Sequence, residues 1–182
     1  MQPKGLRTWL EIDTHAIRHN YRLFRKLLGR TQLMAVVKSN AYGHGLLDFS
    51  RAVNRLGADW FAVDSIVEAQ SLRRALIRKP ILILGHTLPE RFAETRRLDA
   101  RLTLSNFTAL DYLRAAGRKP IKVHLKIDTG MHRQGFLVDE LLEVAAFIKE
   151  KMPHVIVEGA YSHFAAAGDP NFKRETENQI RE

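Results

Sequence analysis

The stretch LMAVVKSNAYGHG, residues 33–45, decides how this chain is read. Five apolar residues run straight into Lys38, and the chain then breaks into a polar loop carrying Asn40, Tyr42, Gly43, His44 and Gly45. A short, wholly apolar run bounded by turn residues reads as a strand of a parallel sheet covered on both faces. The question is what the amine at its end faces.

Outward from this strand the same rhythm repeats. Upstream, WLEID (9–13) reads as a short leading strand. Thr14 reads as the cap of a helix with apolar positions Ile17, Tyr21, Phe24, Leu27 and Leu28, stopped by Gly29. Downstream, Leu46, Phe49, Ala52, Val53 and Leu56 hold helical spacing up to Gly57, and WFAVD (60–64) comes next as a second buried run. Ser65 and Glu68 form an S-x-x-E capping box ahead of Ala69, Leu72 and Leu76. Beyond it lie ILILG (81–85), a helix after Pro89, RLTLSN (101–106) and a helix through Leu110 and Leu113 to Gly117. IKVHLKID (121–128), a helix over 139–151 and VIVEGAYSHF (155–164) complete the series. After the leading strand, about six βα units are expected, with no linker or low-complexity segment between them.

Two α/β architectures suit that rhythm. A doubly wound open sheet wants G-x-G-x-x-G after its first strand, and YGHG (42–45) matches it poorly. A (β/α)₈ TIM-type barrel takes eight units and typically about 250 residues, more than the 182 present. At the far end Asp169 caps and Pro170 opens a charged helical run that neither glycine nor proline closes. The expectation is therefore an incomplete (β/α)₈ barrel. Residues 1–182 form one partial barrel domain that stops inside its sixth helix, with apolar strand edges left open.

Composition narrows the class. At 45% hydrophobic and 27% charged the chain is an ordinary globular protein. No apolar run nears the roughly 18 residues that span a bilayer, and MQPKGLRTWLEID (1–13) turns polar before a signal-peptide core forms. The expected location is cytoplasmic. Zero cysteines exclude a disulfide framework and thiol catalysis. The net charge of +9 is spread over scattered pairs, Arg73–Arg74, Arg78–Lys79, Arg96–Arg97 and Arg118–Lys119. None is interleaved with stacking aromatics, so solvated helix faces are expected here and not a nucleic-acid surface.

Lys38 sits where barrel enzymes keep their reactive groups, at the C-terminal end of a strand. An amine held in an apolar setting is disfavoured as the ammonium form, and a neutral amine attacks an aldehyde to form a Schiff base. The loop after it offers Tyr42 as a phenol donor to a phosphate and two glycines for close backbone approach. The plain alternative is a lysine whose stem packs and whose amine reaches water.

A second cluster lies in IKVHLKIDTGMHRQGF, residues 121–136. Ile121, Val123, Leu125 and Ile127 alternate with Lys122, His124, Lys126 and Asp128, so helices against the apolar face send His124 and Lys126 inward. Arg133, beyond the Asp128-Thr129-Gly130 turn, is suited to a two-point grip on a carboxylate. A buried Lys126 near Arg133 would be two cations without a partner, so either an acid lies nearby or one amine is chemically altered. The plain alternative is an ordinary basic turn. His163 ends another strand beside Tyr161 and Ser162, where a lone histidine is more often a supporting residue than a catalyst. His124, Asp128 and His163 lack H-E-x-x-H or any tight ligand spacing, so no metal is expected. A P-loop, a G-x-S-x-G elbow and a paired-cysteine site are all missing.

Together WLEIDTHAIRHNYR (9–22), AVVKSNAYGHG (35–45), HLKIDTGMHRQGF (124–136) and YSHFAAAGD (161–169) resemble the alanine racemases. These are pyridoxal 5'-phosphate enzymes with a barrel and a separate C-terminal β domain. The resemblance implies racemisation of L-alanine to D-alanine for peptidoglycan. Lys38 becomes the Schiff-base lysine and one of two catalytic bases, and Tyr42 a phosphate contact. Arg133 becomes the residue that reaches the substrate carboxylate and the cofactor's phenolic oxygen. Lys126 matches a lysine often carbamylated in the family, an anion able to pair with Arg133, and His163 a supporting histidine near the cofactor ring. The family works as a homodimer whose opposite base is a tyrosine of the partner subunit's C-terminal domain. None of Tyr21, Tyr42, Tyr112 or Tyr161 sits in that motif. The last two barrel strands, the arginine facing the ring nitrogen and the β domain have no counterpart in these residues, so the piece alone is expected to be inactive. The rival readings are a non-catalytic pyridoxal-phosphate-binding barrel of cofactor homeostasis and a half-barrel without cofactor.

Overall fold

The structure, a computed structural model, describes residues 5–182. Residues 1–4, where the polar N-terminal stretch begins, lie outside the described residues.

Six parallel strands carry the architecture. They are β1 (Met34–Val36), β2 (Trp60–Val63), β3 (Ile81–Ile83), β4 (Ala100–Leu104), β5 (Ile121–Asp128) and β7 (Val155–Tyr161). Each pairs in parallel with the next, and a two-residue strand β6 (Phe136–Leu137) adds to the end of β5 at Ile127 and Asp128. Each of the six leads to a helix: α2 (Leu46–Leu56), α3 (Ile66–Arg74), α4 (Phe92–Arg97), α5 (Phe107–Ala115), α6 (Leu141–Lys151) and α7 (Lys173–Arg181). α4, α6 and α7 are each entered through a 3₁₀ turn, at Pro89–Arg91, Val138–Glu140 and Pro170–Phe172. This is the expected series of six βα units in a TIM-barrel-like arc.

The short strands are apolar because both faces are covered. Ile81, Leu82 and Ile83 are all buried, as are Phe61, Ala62 and Val63 and the whole of β4. Each fully buried aliphatic side chain contributes roughly 1.5–3 kcal/mol. Among the described residues β1 pairs only with β2 and β7 only with β5, so the arc has two open edges. Val36, Ile156 and Val157 stand exposed along them.

The start of the chain departs from expectation. Residues 9–13 form no strand; Leu10 is exposed, and the Trp9 indole donates to the Glu11 carboxylate next door. Alternation alone does not make a strand, because a strand exists by pairing, and no described residue pairs with this one. The helix α1 (Thr14–Leu28) is capped by Asp13, not Thr14; the Asp13 carboxylate accepts from the His15 amide at 2.7 Å. Of its apolar positions Tyr21 is buried while Phe24 and Leu27 are exposed. α1 packs on α2, leaving a groove of about 470 Å³ between α1, residues 11–13 and β1, lined by Ile17, Phe24, Val36 and Phe49.

Part of the positive charge is structural. Arg73 donates to the carbonyls of Ile77, Lys79, Leu98 and Asp99, tying α3 to the start of β4. Arg101, inside the arc, pairs with Glu158 across from β7. Among the described residues no helix is long and apolar enough to cross a membrane.

Candidate active site

The segments that leave the C-terminal ends of β1, β5 and β7 build the mouth of the arc. After β1 the chain enters a tight helical turn, Lys38–Tyr42, in which Ser39, Asn40, Ala41 and Tyr42 all have φ between 53° and 58°. Four consecutive non-glycine residues in the left-handed region cost roughly 1–2 kcal/mol each, and such strain persists only where neighbours over-determine it. Here they do. The Asn40 side chain accepts from the Leu46 amide at 2.8 Å, and the His44 ring is hydrogen-bonded to the Ala41 carbonyl.

Glu68 supplies the firmest hold. One carboxylate oxygen closes the capping box of α3 by accepting from Asp64 and Ser65, and the other accepts from the Ser39 amide at 2.7 Å. The residue next to Lys38 is thereby clamped to the end of β2. Glu68→Ala is expected to loosen this turn by about 2 kcal/mol, the worth of a hydrogen bond to a charged group. Hydrogen exchange at the Ser39 amide measures it, with exchange about 30-fold faster expected if opening is local.

On β5, His124 and Lys126 point inward as expected, and Ile121, Val123 and Leu125 pack in the core opposite them. Gly159 of β7 faces the His124 ring so closely that a Cβ there would lie 3.0 Å from Cε1. Lys126 is 5% exposed. Its amine donates to the Ile127 carbonyl at 3.0 Å and lies 5.3 Å from the centre of the Tyr161 ring. Among the described residues no carboxylate forms an ion pair with it. Burial lowers its pKa, Asp128 opposes that, and Arg133 adds to it.

Asp128 is the acid whose charge acts on Lys126, and its carboxylate is committed to backbone. One oxygen accepts from the amides of Gly130, Met131 and His132, and the other from the Arg133 amide. Burial pushes this carboxyl up, but the backbone donors and His132 outweigh it and hold it below the usual range. The result is a rigid turn that delivers Arg133. Its closure depends on Gly135, at φ 139°, where a Cβ would come within 2.5 Å of the Asp128 nitrogen. No other residue fits there without displacing β5.

His163 lies two residues past β7. Its pKa is lowered by burial first and then by the charges of Arg133, Lys126 and Lys38. The charges of all three residues therefore act on the His163 ring, and the basic groups concerned come from three strand ends. Tyr42 stands apart, 60% exposed at the end of its turn.

Several members of the site escape sequence reasoning. Tyr161 shares a hydrogen bond with Thr103, which itself donates to the Ile83 carbonyl. Burial raises the Tyr161 pKa, against the opposing effects of Thr103 and Arg133. Gln134 donates to Ser105, tying the arginine turn to the end of β4. Gln179 of α7 reaches Thr129 and His163. Only Glu68 carried a signal, its capping box, and that signal spoke of a helix end alone.

Comparison with known proteins places this geometry. Residues 12–182 match the family model described as alanine racemase, N-terminal domain. The alanine racemase of Desulforamulus reducens is 40% identical over 167 residues, covering 88% of this chain and 45% of that protein. The crystal structure of alanine racemase from Bacillus anthracis with bound L-Ala-P superposes with a TM-score of 0.87 at 30% identity, over 99% of this chain and 48% of that one. Histidine racemase from Leuconostoc mesenteroides gives a TM-score of 0.84 at 28% identity, over 92% of this chain and 46% of that one. The chain thus spans about half the length of the relatives it matches. Within that span sequence and fold agree, and the chain belongs to the alanine racemase family, in the region of its N-terminal domain.

Proposed function

We propose that residues 1–182 are the pyridoxal 5'-phosphate-binding barrel domain of an amino-acid racemase that interconverts L- and D-alanine. The observation that carries the reading is the mouth of the arc, where the charges of Lys38, Lys126 and Arg133 all act on His163 and both nearby acids, Asp128 and Glu68, are engaged by backbone amides. A strand-end amine with three further basic groups beside it fits an anionic aldehyde that bears a phosphate and an acidic phenol. Lys126 in particular, buried and without an ion-pair partner among the described residues, suits a negative charge brought to it.

When bound, pyridoxal phosphate supplies a carbonyl for a lysine amine and a ring that draws electrons from the α-carbon of an attached amino acid. Lys38 Nζ is the amine that takes and returns the α-proton on one face. Arg133, fixed by the Asp128 turn, holds the carboxylate of the amino acid through paired N–H donors. Carbamylation of Lys126, in which the deprotonated amine adds to carbon dioxide and releases a proton, would leave an anion there able to partner Arg133. His163 would support the side of the ring nitrogen, and Tyr42 would donate its phenol to the phosphate. The opposite face needs a second acid/base group, which the family resemblance assigns to a tyrosine of a partner subunit in a homodimer.

The L-Ala-P bound in the Bacillus anthracis structure supports a small amino acid as substrate. The histidine racemase match marks side-chain preference as the point to measure. The full-length gene product is to be incubated with pyridoxal phosphate and L-alanine, then L-histidine, and the D-isomers assayed. D-alanine formation supports the reading. Labelling of Lys38 by the cofactor without any D-amino acid would leave a non-catalytic carrier instead. A cytoplasmic place and a role in supplying D-alanine to peptidoglycan belong to the same proposal.

A further inference from the structure

Strands β5 and β7 pair as far as Lys126 and Tyr161, with one register shift between Val123 and His124, and there the backbone ladder stops. The two chains beyond it carry the site: the Asp128 turn leads to Arg133, and the other chain leads to His163. Side chains alone join them. The Thr129 hydroxyl meets the Ser162 hydroxyl at 2.7 Å, and both chains are held from outside by Gln179.

Gln179 is the one buried residue of α7, and it is 7% exposed. Its carbonyl accepts from the Ala165 amide at 2.9 Å; its amide nitrogen donates to Thr129 Oγ1 at 3.2 Å and to the His163 carbonyl at 3.1 Å. A Cβ on Gly130 would rest 3.5 Å from its Cγ, so the turn packs on its stem. A helix in need only of packing here would bury an aliphatic side chain, which requires no partners. Both ends of this amide are satisfied, and its three contacts fall on the two segments that present the site.

We propose that Gln179 is a positioning residue, setting the separation of His163 from the basic groups of the neighbouring turn by bonding to both segments at once. As an assignment within the catalytic machinery it rests on the racemase reading; as a statement about His163 it does not. With the amide gone, the segment after β7 relaxes outward and the imidazole, already exposed, gains distance from Arg133, Lys126 and Lys38.

The test is the protonation midpoint of His163, followed by NMR in isotope-labelled protein without cofactor. Gln179→Met keeps the length and apolar stem and removes the hydrogen bonds. Its His163 midpoint is expected to rise by about half a pH unit or more toward the ordinary histidine value of about 6.5, with circular dichroism unchanged. Thr129→Val removes the Gln179 bond together with the Ser162 contact and carries the test should Gln179→Met unfold; a rise beyond that of Ser162→Ala, which loses the Ser162 contact alone, is expected. A His163 midpoint unmoved in a folded variant overturns the proposal. In parallel, half-maximal labelling of Lys38 by pyridoxal phosphate and borohydride is expected to need about tenfold more cofactor in the variant. A wild-type chain that never labels would sink the racemase reading while leaving the titration result to stand or fall alone.

Discussion

Replacing Lys38 with alanine is expected to reduce D-alanine formation by the full-length protein at least about 10⁴-fold, since on the proposed reading one side chain would serve as both attachment point and base. The protein should stay folded. Lys38 is half-buried, lies beyond the end of β1, and takes part in no ion pair among the described residues. Its backbone place is secured by others: Glu68 holds the Ser39 amide, and Val37 donates to the Ala62 carbonyl. A small drop in rate with an unchanged melting curve would assign the chemistry to another amine. Lys126 would be the first suspect, given its burial.

The largest effect on stability is expected at the opposite end of the arc. Arg101, its side chain 7% exposed, is held by both carboxylate oxygens of Glu158, at 2.5 and 3.2 Å, and stacks 5.1 Å from the centre of the Trp60 ring. Asp99 adds its backbone carbonyl at 2.8 Å and a carboxylate oxygen at 3.3 Å, and Lys122 bonds Asp99 in turn. Removing one partner of a buried pair typically costs about 3–5 kcal/mol, because the other charge is left behind. With Asp99 still in place, Glu158→Ala should fall just below that range, at about 2–3 kcal/mol, read as a shift in urea midpoint at constant slope. Glu158→Ala within about 0.5 kcal/mol of wild type would mean that Asp99 alone compensates Arg101.

The same cluster sets an acid limit. For Glu158 and Asp99 burial raises the carboxyl pKa, but Arg101 and Lys122 outweigh it, so both end lowered. Each proton is then bound more weakly in the folded chain than in the unfolded one. Their stabilisation is complete above the ordinary carboxyl range of about 4 and drains as pH falls through it. His124 and His163 add an earlier loss. Burial lowers both, Glu158 partly opposing it for His124, so the unfolded chain takes up protons first as pH drops below about 6.5. Two successive losses on acidification are expected in wild type, and the second should shrink in Glu158→Ala.

The framework of the fold was readable because parallel strands covered on both faces leave short apolar runs between turn residues. ILI at 81–83 and WFAV at 60–63 need no context to be recognised. Lys126 was readable too, because alternation along β5 sends one face of the strand inward. Three features were not. WLEID alternates like a strand yet has no pairing partner in the described chain. The Lys38–Tyr42 turn is left-handed through Ser39, Asn40 and Ala41, a conformation that their side chains do not advertise. Gln179 lies in a charged helical run where nothing local distinguishes it from its solvated neighbours. Its role arises only when β5 and β7 lie side by side and their ladder runs out. Glu68 illustrates the same limit: the capping box is local, whereas the grip on Ser39 spans 29 residues.

The direct measurement is chemical. The chain is mixed with pyridoxal phosphate, reduced with borohydride, digested and mapped by mass spectrometry. A single stable modification is predicted on the peptide containing Lys38, suppressed in Lys38→Ala. Modification spread over exposed lysines such as Lys149 and Lys173, with Lys38 unmarked, would contradict the claim that the arc's mouth is built to receive an anionic aldehyde.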